Sequence, residues 1–153
     1  MAATTRAPSL KTRALGYLAR REHSRLELEK KLAPHAETPE ELSSVLDGLE
    51  QRGFLSATRL VEQIVHTRKG RFGSLRIAQE LREKGIEENL IIAALPDLRE
   101  GEQHRAQEVW RKKFGVMPAD ARDFGRQTRF LLGRGFRPEV VRRVLQHPDK
   151  EEG

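Results

Sequence analysis

Nine cations in the later two thirds of the chain are the residues whose type and spacing bear on chemistry: Arg59, Arg68, Lys69, Arg71, Arg76, Lys84, Arg126, Arg129 and Arg134. A Lys or Arg that neutralises a phosphate displaces condensed counterion, which yields affinity for a nucleic-acid backbone without sequence preference and a steep loss with salt. The competing reading is a set of solvated helix faces, some internally paired, as Arg76 and Glu80 would be at i, i+4. For any single residue that plainer reading is favoured, because most surface cations do nothing in particular. For the group, binding is favoured. Arg76 and Arg126, and likewise Lys84 and Arg134, fall at equivalent positions of two repeats described below, and a helix C-terminus asks for a cation only at 84 and 134.

Catalytic patterns are poor. His23, His35, His66, His104 and His147 are scattered, and there is no His-Glu-x-x-His zinc pattern, Gly-x-Ser-x-Gly elbow or Walker phosphate loop. His104 and Glu108 share a helix face at i, i+4, but without a third ligand or a nucleophile such a pair is a solvated contact. No enzyme activity, metal or cofactor is expected. The "GRFG" stretch at 70–73 has the form of a KH-domain GXXG loop, but that loop works beside a β-sheet, and a basic turn between two helices is the better account. Phe72 is then either a stacking platform for a base or a core anchor, with the core favoured in an all-helical chain. Trp110, at helical spacing from Ala106 and Phe114, is also read as core.

What must position these residues is legible in the composition. Charged residues make up 34% of the 153 and aromatics only 5%, a mix that suits amphipathic helices better than β-sandwiches or barrels. Cysteine is absent, which excludes disulfides and thiolate sites and suits a reducing cytoplasm. No apolar run approaches the ~20 residues that span a bilayer, and "MAATTRAPSL" lacks the apolar core of a secretory signal, so the expected location is cytoplasmic. The net charge of +6 is unevenly placed: residues 26–51 carry a net −5, 66–84 a net +4 and 105–143 a net +7. An anionic partner is expected for the later segments.

The elements are expected to be about nine short helices. Leu10, Ala14, Leu15 and Leu18 form a first apolar stripe. Ser24 caps a helix carrying Leu28 and Leu32 that ends near Pro34. Thr38 opens another with Pro39 in its first turn and Glu41 completing a capping-box pattern. Ser56 caps the helix of Leu60, Val61, Ile64 and Val65. Leu75 to Leu81 resume after the basic break, and a helix from about Glu87 stops at Pro96. The third group places Ala106 to Phe114, Phe124 to Arg134 and Pro138 to Leu145 in helices.

"LEQRGF" at 49–54, "LREKGI" at 81–86 and "LLGRGF" at 131–136 share one ending. Each reads as a Schellman stop, with Gly53, Gly85 or Gly135 left-handed and the next residue, Phe54, Ile86 or Phe136, packed on Leu49, Leu81 or Leu131. "RIAQELREKGIEENLIIAAL" at 76–95 aligns without gaps on "RQTRFLLGRGFRPEVVRRVL" at 126–145. Leu28 and Leu32 match Ile77 and Leu81 at an offset of 49. The chain is therefore read as all-α, with tandem three-helix repeats at 10–55, 56–98 and 99–147, a disordered basic N-terminus at 1–9 and a tail at 148–153. Stacking of such units favours an elongated, curved body over a compact globule, which three units can also form.

These residues resemble the bacterial regulatory protein family RecX, which modulates the recombinase RecA. The likeness covers some 135 residues. It is best at "GFLSATRLVEQIVHTRKGRFGSLRIAQELREKGI", where Gly53, Phe54, Leu55, Arg59, Arg68, Gly73, Ile77, Glu80, Leu81, Lys84, Gly85 and Ile86 stand at the family's positions. "REHSRLELEKKL", "KKFG" and "RQTRFLLGRGF" resemble its opening and closing patterns. At 56–58 the family has acidic residues and this chain has Ser56, Ala57 and Thr58, which puts any role of negative charge there in doubt. The resemblance implies a non-enzymatic regulator, made of three tandem three-helix repeats, that lies in the groove of the RecA filament on single-stranded DNA. It would block filament growth or favour filament loss, lower ATP hydrolysis, strand exchange and coprotease activity, and bind DNA weakly by itself. The alternative is a helix-turn-helix-type nucleic-acid-binding protein acting on DNA directly, motivated by short helices joined at glycine turns and a high pI.

Overall fold

A computed structural model describes residues 7–146. The predicted N-terminal segment therefore falls outside the described residues up to residue 6, as do His147 and the predicted tail at 148–153. Among the described residues there are nine α-helices, one 3-10 turn and no strand: α1 (Leu10–Arg20), α2 (Arg25–Leu32), α3 (Pro39–Gln51), α4 (Ala57–Arg68), α5 (Ser74–Glu83), α6 (Glu88–Arg99), α7 (Glu102–Lys113), α8 (Ala121–Gly133) and α9 (Pro138–Gln146), with the 3-10 turn at Ala33–His35. The all-α expectation holds.

The chain forms two compact bodies. The first runs to Leu60 and includes Lys84–Ile86; the second holds Val61–Glu83 and the chain from Glu87 onward. In the first, α1, α2 and α3 bury Leu10, Ala14, Leu28, Leu32, Leu46 and Leu49, together with Leu55. Each fully buried leucine contributes about 2 kcal/mol relative to leaving it in water. Arg25 ties α2 to α3 by donating to Asp47 and Glu50, both at 2.7 Å. In the second, α7, α8 and α9 close over Trp110, Leu131, Phe136, Val140 and Val144. Ile77 and Leu81 of α5 and Ile91 and Leu98 of α6 are also buried.

Local signals are realised with three differences. The complete capping box lies at Ser24, whose hydroxyl accepts from Glu27 N while Glu27 accepts from Ser24 N. At Thr38 only half forms, because Glu41 reaches past the cap to accept from Glu37 N at 3.0 Å. Secondly, α6 does not stop at Pro96 but continues to Arg99 with the proline inside it. A helical proline forfeits the bond to the carbonyl four residues back, here Ile92. Ile92 is exposed, so water can serve that carbonyl, while the buried Leu98 holds the last turn in place. Thirdly, Gly53 and Gly135 end their helices in Schellman geometry: Phe54 N donates to Leu49 O at 2.9 Å and Phe136 N to Leu131 O at 3.4 Å. The apolar contact differs between them, for Phe136 is 0% exposed and Phe54 49%, and Leu55 takes the buried place instead.

Candidate functional site

The predicted cations separate by what they touch. Arg59 donates to Glu22 at 2.8 Å and Lys84 to Glu27 at 3.4 Å, both within the first body. In the second body Arg68 forks onto Glu80 at 3.0 and 3.4 Å, Lys69 meets Asp97 at 3.0 Å and Arg126 meets Asp123 at 2.6 Å. The expected Arg76–Glu80 pair does not form, since Glu80 is taken by Arg68. Four cations have no carboxylate within ion-pair distance among the described residues: Arg71, Arg76, Arg129 and Arg134. Of these, Arg71, Arg76 and Arg134 come together and the exposed Arg129 does not join them.

They meet on Phe72. The Arg76 guanidinium lies 4.2 Å from its ring centroid, that of Arg134 5.4 Å and that of Arg71 5.8 Å. Phe72 is half-buried and is not among the buried core residues, so the core-anchor reading gives way to a ring that carries three guanidiniums. A ring face bears negative potential, and it lets like-charged groups crowd together without a carboxylate to neutralise them. Arg134 also sits 5.2 Å from the Phe130 ring and donates to Arg71 O at 3.2 Å; Arg76 donates to Gly133 O at 3.2 Å. The Arg76 and Arg134 guanidiniums are thus held by carbonyls that leave their charge unneutralised.

Backbone packing sets this geometry. Gly73 N donates to Arg134 O at 2.8 Å and Leu75 N to Gly135 O at 3.0 Å, so the turn before α5 lies directly on the turn after α8. A Cβ on Gly73 would stand 2.3 Å from Gly135 O, and one on Gly135, at φ +86°, 2.2 Å from Arg76 Cβ. Neither position admits a side chain. Glu102, at the start of α7, locks the same junction from inside. Its carboxylate is fully buried and accepts from Ser74 N at 3.1 Å, Ser74 Oγ at 2.9 Å and Arg137 Nε at 2.7 Å.

Beside the cluster is a cavity of about 360 Å³, walled by Arg71, Lys112, Lys113 and Arg134 and by the apolar Val109 and Phe130. Gly70 and Glu108 complete it, and Glu108 accepts from Arg111 at 2.8 Å. Lys113 Nζ lies 5.3 Å from the Phe130 centroid. Sequence reasoning missed Lys112, Lys113 and Phe130 as site residues although "KKFG" and "RQTRFLLGRGF" were on view. It also missed Glu102, Ser74 and Arg137, whose mutual contacts span 28 and 35 residues and leave no local pattern. Trp110 is core as expected, its Nε1 donating to the buried Gln127 Oε1 at 2.8 Å.

The first body has a counterpart junction. Gly85, at φ +79°, would place a Cβ 2.9 Å from the Leu26 side chain, and Lys84 beside it meets Glu27. Burial raises the Glu27 carboxyl, but hydrogen bonds from Arg21 and from Ser24 N and the charge of Lys84 outweigh it and hold the group down to about 2. Nearby, burial pushes His23 below its ordinary value, and Lys31 Nζ at 2.8 Å from its Nε2 acts in the same direction.

The chain is similar to known proteins. Family models match residues 58–95 as the second three-helix domain of RecX and 100–145 as the third. Regulatory protein RecX of Leptothrix cholodnii is 56% identical over 94% of this chain and 91% of its own, and that of Ralstonia nicotianae 46% over 92% and 89%. The crystal structure of RecX from Lactobacillus salivarius superposes with a TM-score of 0.80 at 21% identity, over 92% of this chain and 94% of that one, a likeness of fold. The chain belongs to the RecX family of regulatory proteins.

Proposed function

We propose that this protein binds RecA and its filament on single-stranded DNA and restrains filament growth, thereby lowering ATP hydrolysis, strand exchange and coprotease activity. It acts in the cytoplasm as a non-enzymatic regulator built of the units 10–55, 56–98 and 99–147. Family membership supports a regulatory role. The observation that carries the reading is the gathering of Arg71, Arg76 and Arg134 on Phe72 with no carboxylate to neutralise them. Crowding like charges on an exposed surface costs free energy that folding alone gives no reason to spend, and a polymer bearing one phosphate per nucleotide recovers it by charge neutralisation and counterion release. Among the described residues no helix is long and apolar enough to cross a membrane.

The test is RecA-catalysed, single-strand-dependent ATP hydrolysis with and without the protein. Stoichiometric protein should suppress hydrolysis, more strongly when added before the filament grows than after. The R71A/R76A/R134A triple variant should suppress it much less at unchanged helical content. Unaltered hydrolysis with the wild-type chain would overturn the proposal. Sequence preference on naked duplex DNA would instead select the direct nucleic-acid-binding alternative.

A further inference from the structure

We infer that the cavity between α7, the 70–71 turn and the end of α8 is a pocket for one nucleoside phosphate, the phosphate held by Arg71, Lys112, Lys113 and Arg134 and the base set against Val109 and Phe130. Four cations and an aromatic wall converge on one cavity of about 360 Å³, within the range of roughly 300–1,000 Å³ typical of small-molecule sites. The one carboxylate on its rim, Glu108, is already engaged by Arg111. Arg134 is stationed in advance, between the Phe72 and Phe130 rings and bonded to Arg71 O, so little side-chain freedom is left to lose on binding.

The chemistry favours a nucleotide over an acidic peptide. A peptide carboxylate is satisfied by a single arginine fork, whereas a phosphate offers several charged oxygens to several donors. The apolar wall would face a peptide's polar backbone but suits the flat face of a base, which would take the place of the Lys113 ammonium, 5.3 Å from the Phe130 centroid, as that lysine turns to the phosphate. The inference rests on the reading that this basic region meets single-stranded DNA. It adds that one nucleotide leaves the strand and seats in this half-open groove, where a filament contact alone needs only a flat surface.

The experiment uses the full chain without RecA. Binding of a fluorescent oligo-dT and of free dTMP is followed by anisotropy and by heteronuclear NMR, and oligonucleotides carrying 5-iodouracil are cross-linked and mapped by mass spectrometry. The expected adduct lies on Phe130. F130L, which keeps the wall apolar, should lose that adduct and weaken oligonucleotide binding about fivefold, the lower end of a lost stacking contact. K112Q/K113Q, on exposed side chains, should lower the salt dependence of log Kd by about 0.7 per lysine engaged. Thermal melting of both variants serves as the folding control. Shifts of the pocket residues by dTMP alone, abolished in the variants, also support the pocket and make a free nucleotide its occupant. Oligonucleotide affinity and salt slope unchanged in well-folded F130L and K112Q/K113Q, or a poly-glutamate peptide displacing the oligonucleotide at equal concentration, would overturn it. Wild-type inhibition of RecA alongside those results would show that the pocket fails while the proposed function stands.

Discussion

The two glycine junctions are built on one plan and end with opposite charge logic. In the first body Gly85 lies against Leu26, and the adjoining Lys84 meets Glu27. In the second body Gly135 lies against Arg76, and the adjoining Arg134 shares the Phe72 ring with it. By the repeat alignment Lys84 corresponds to Arg134 and Glu27 to Arg76. One difference between corresponding positions, Glu27 in one and Arg76 in the other, separates a neutral joint from a positive one. A surface cation is uninformative alone, but a repeat supplies its own control: the same place with the charge cancelled shows that the joint needs no surplus cation structurally.

The largest expected effects are on the joints themselves. Gly135→Ala and Gly73→Ala drive a Cβ into backbone or the root of a side chain and should each cost about 3 kcal/mol or more in urea unfolding. Gly85→Ala meets Leu26 Cβ and Cδ2 at 2.9 Å, a milder overlap than the 2.2–2.3 Å at the other two, and should cost about 2 kcal/mol. Gly53→Ala, at φ +78° with nothing nearby, should cost about 1 kcal/mol. Equal losses at all four positions would break the distinction between docking and merely capping glycines. Glu102→Gln should cost about 2 kcal/mol in the second body, because the part-buried Arg137 loses its buried partner and keeps only Glu139 at 3.3 Å, while Ser74 keeps an acceptor.

Next in size is the charge exchange. Arg76→Glu copies the first joint into the second. It should leave the melting temperature unchanged or raise it while weakening single-strand binding about tenfold, a loss of about 1.4 kcal/mol. Lys84→Ala should do the reverse, with about 1 kcal/mol of stability lost and binding within twofold of wild type. A variant pair that moved both properties together would remove the contrast.

Smaller still is a pH effect, largest in the first body. Glu27 is held down to about 2 against an ordinary 4.5. Its contribution is therefore complete above about pH 4.5 and lost as pH falls toward 2. His23, also depressed, favours the neutral ring, so its contribution is present above its ordinary 6.5 and declines as pH falls below that value. Hydrogen exchange should show α1 and α2 loosening first on acidification. Glu27→Gln should flatten the step between pH 4.5 and 2, and loss of protection beginning in α7–α9 instead would contradict it.

Residues 10–146 carried their helices openly: apolar spacing placed all nine, and left-handed glycines at 53, 85 and 135 ended three of them as the recurring ending predicts. Those are local matters, settled by 3.6-residue periodicity and by which residue tolerates positive φ. The continuation of α6 through Pro96 was not legible, because a buried Leu98 two residues later overrode the local penalty. The sequence also showed a basic later half but not which cations were spent. Arg68 and Arg76 look alike in the chain, and only folding gave Glu80 to the first and Phe72 to the second.

Local interactions between neighbours in the chain determined helix, cap and repeat, since those energies depend on residues three to five apart. Tertiary structure alone decided that Gly73 and Gly135 touch, that Glu102 reaches Ser74 and Arg137, and that Arg71, Arg76 and Arg134 converge on one ring. Coulomb and ring-face interactions act through space over a few ångströms, so whether a cation is neutralised or available depends on which distant segment arrives beside it.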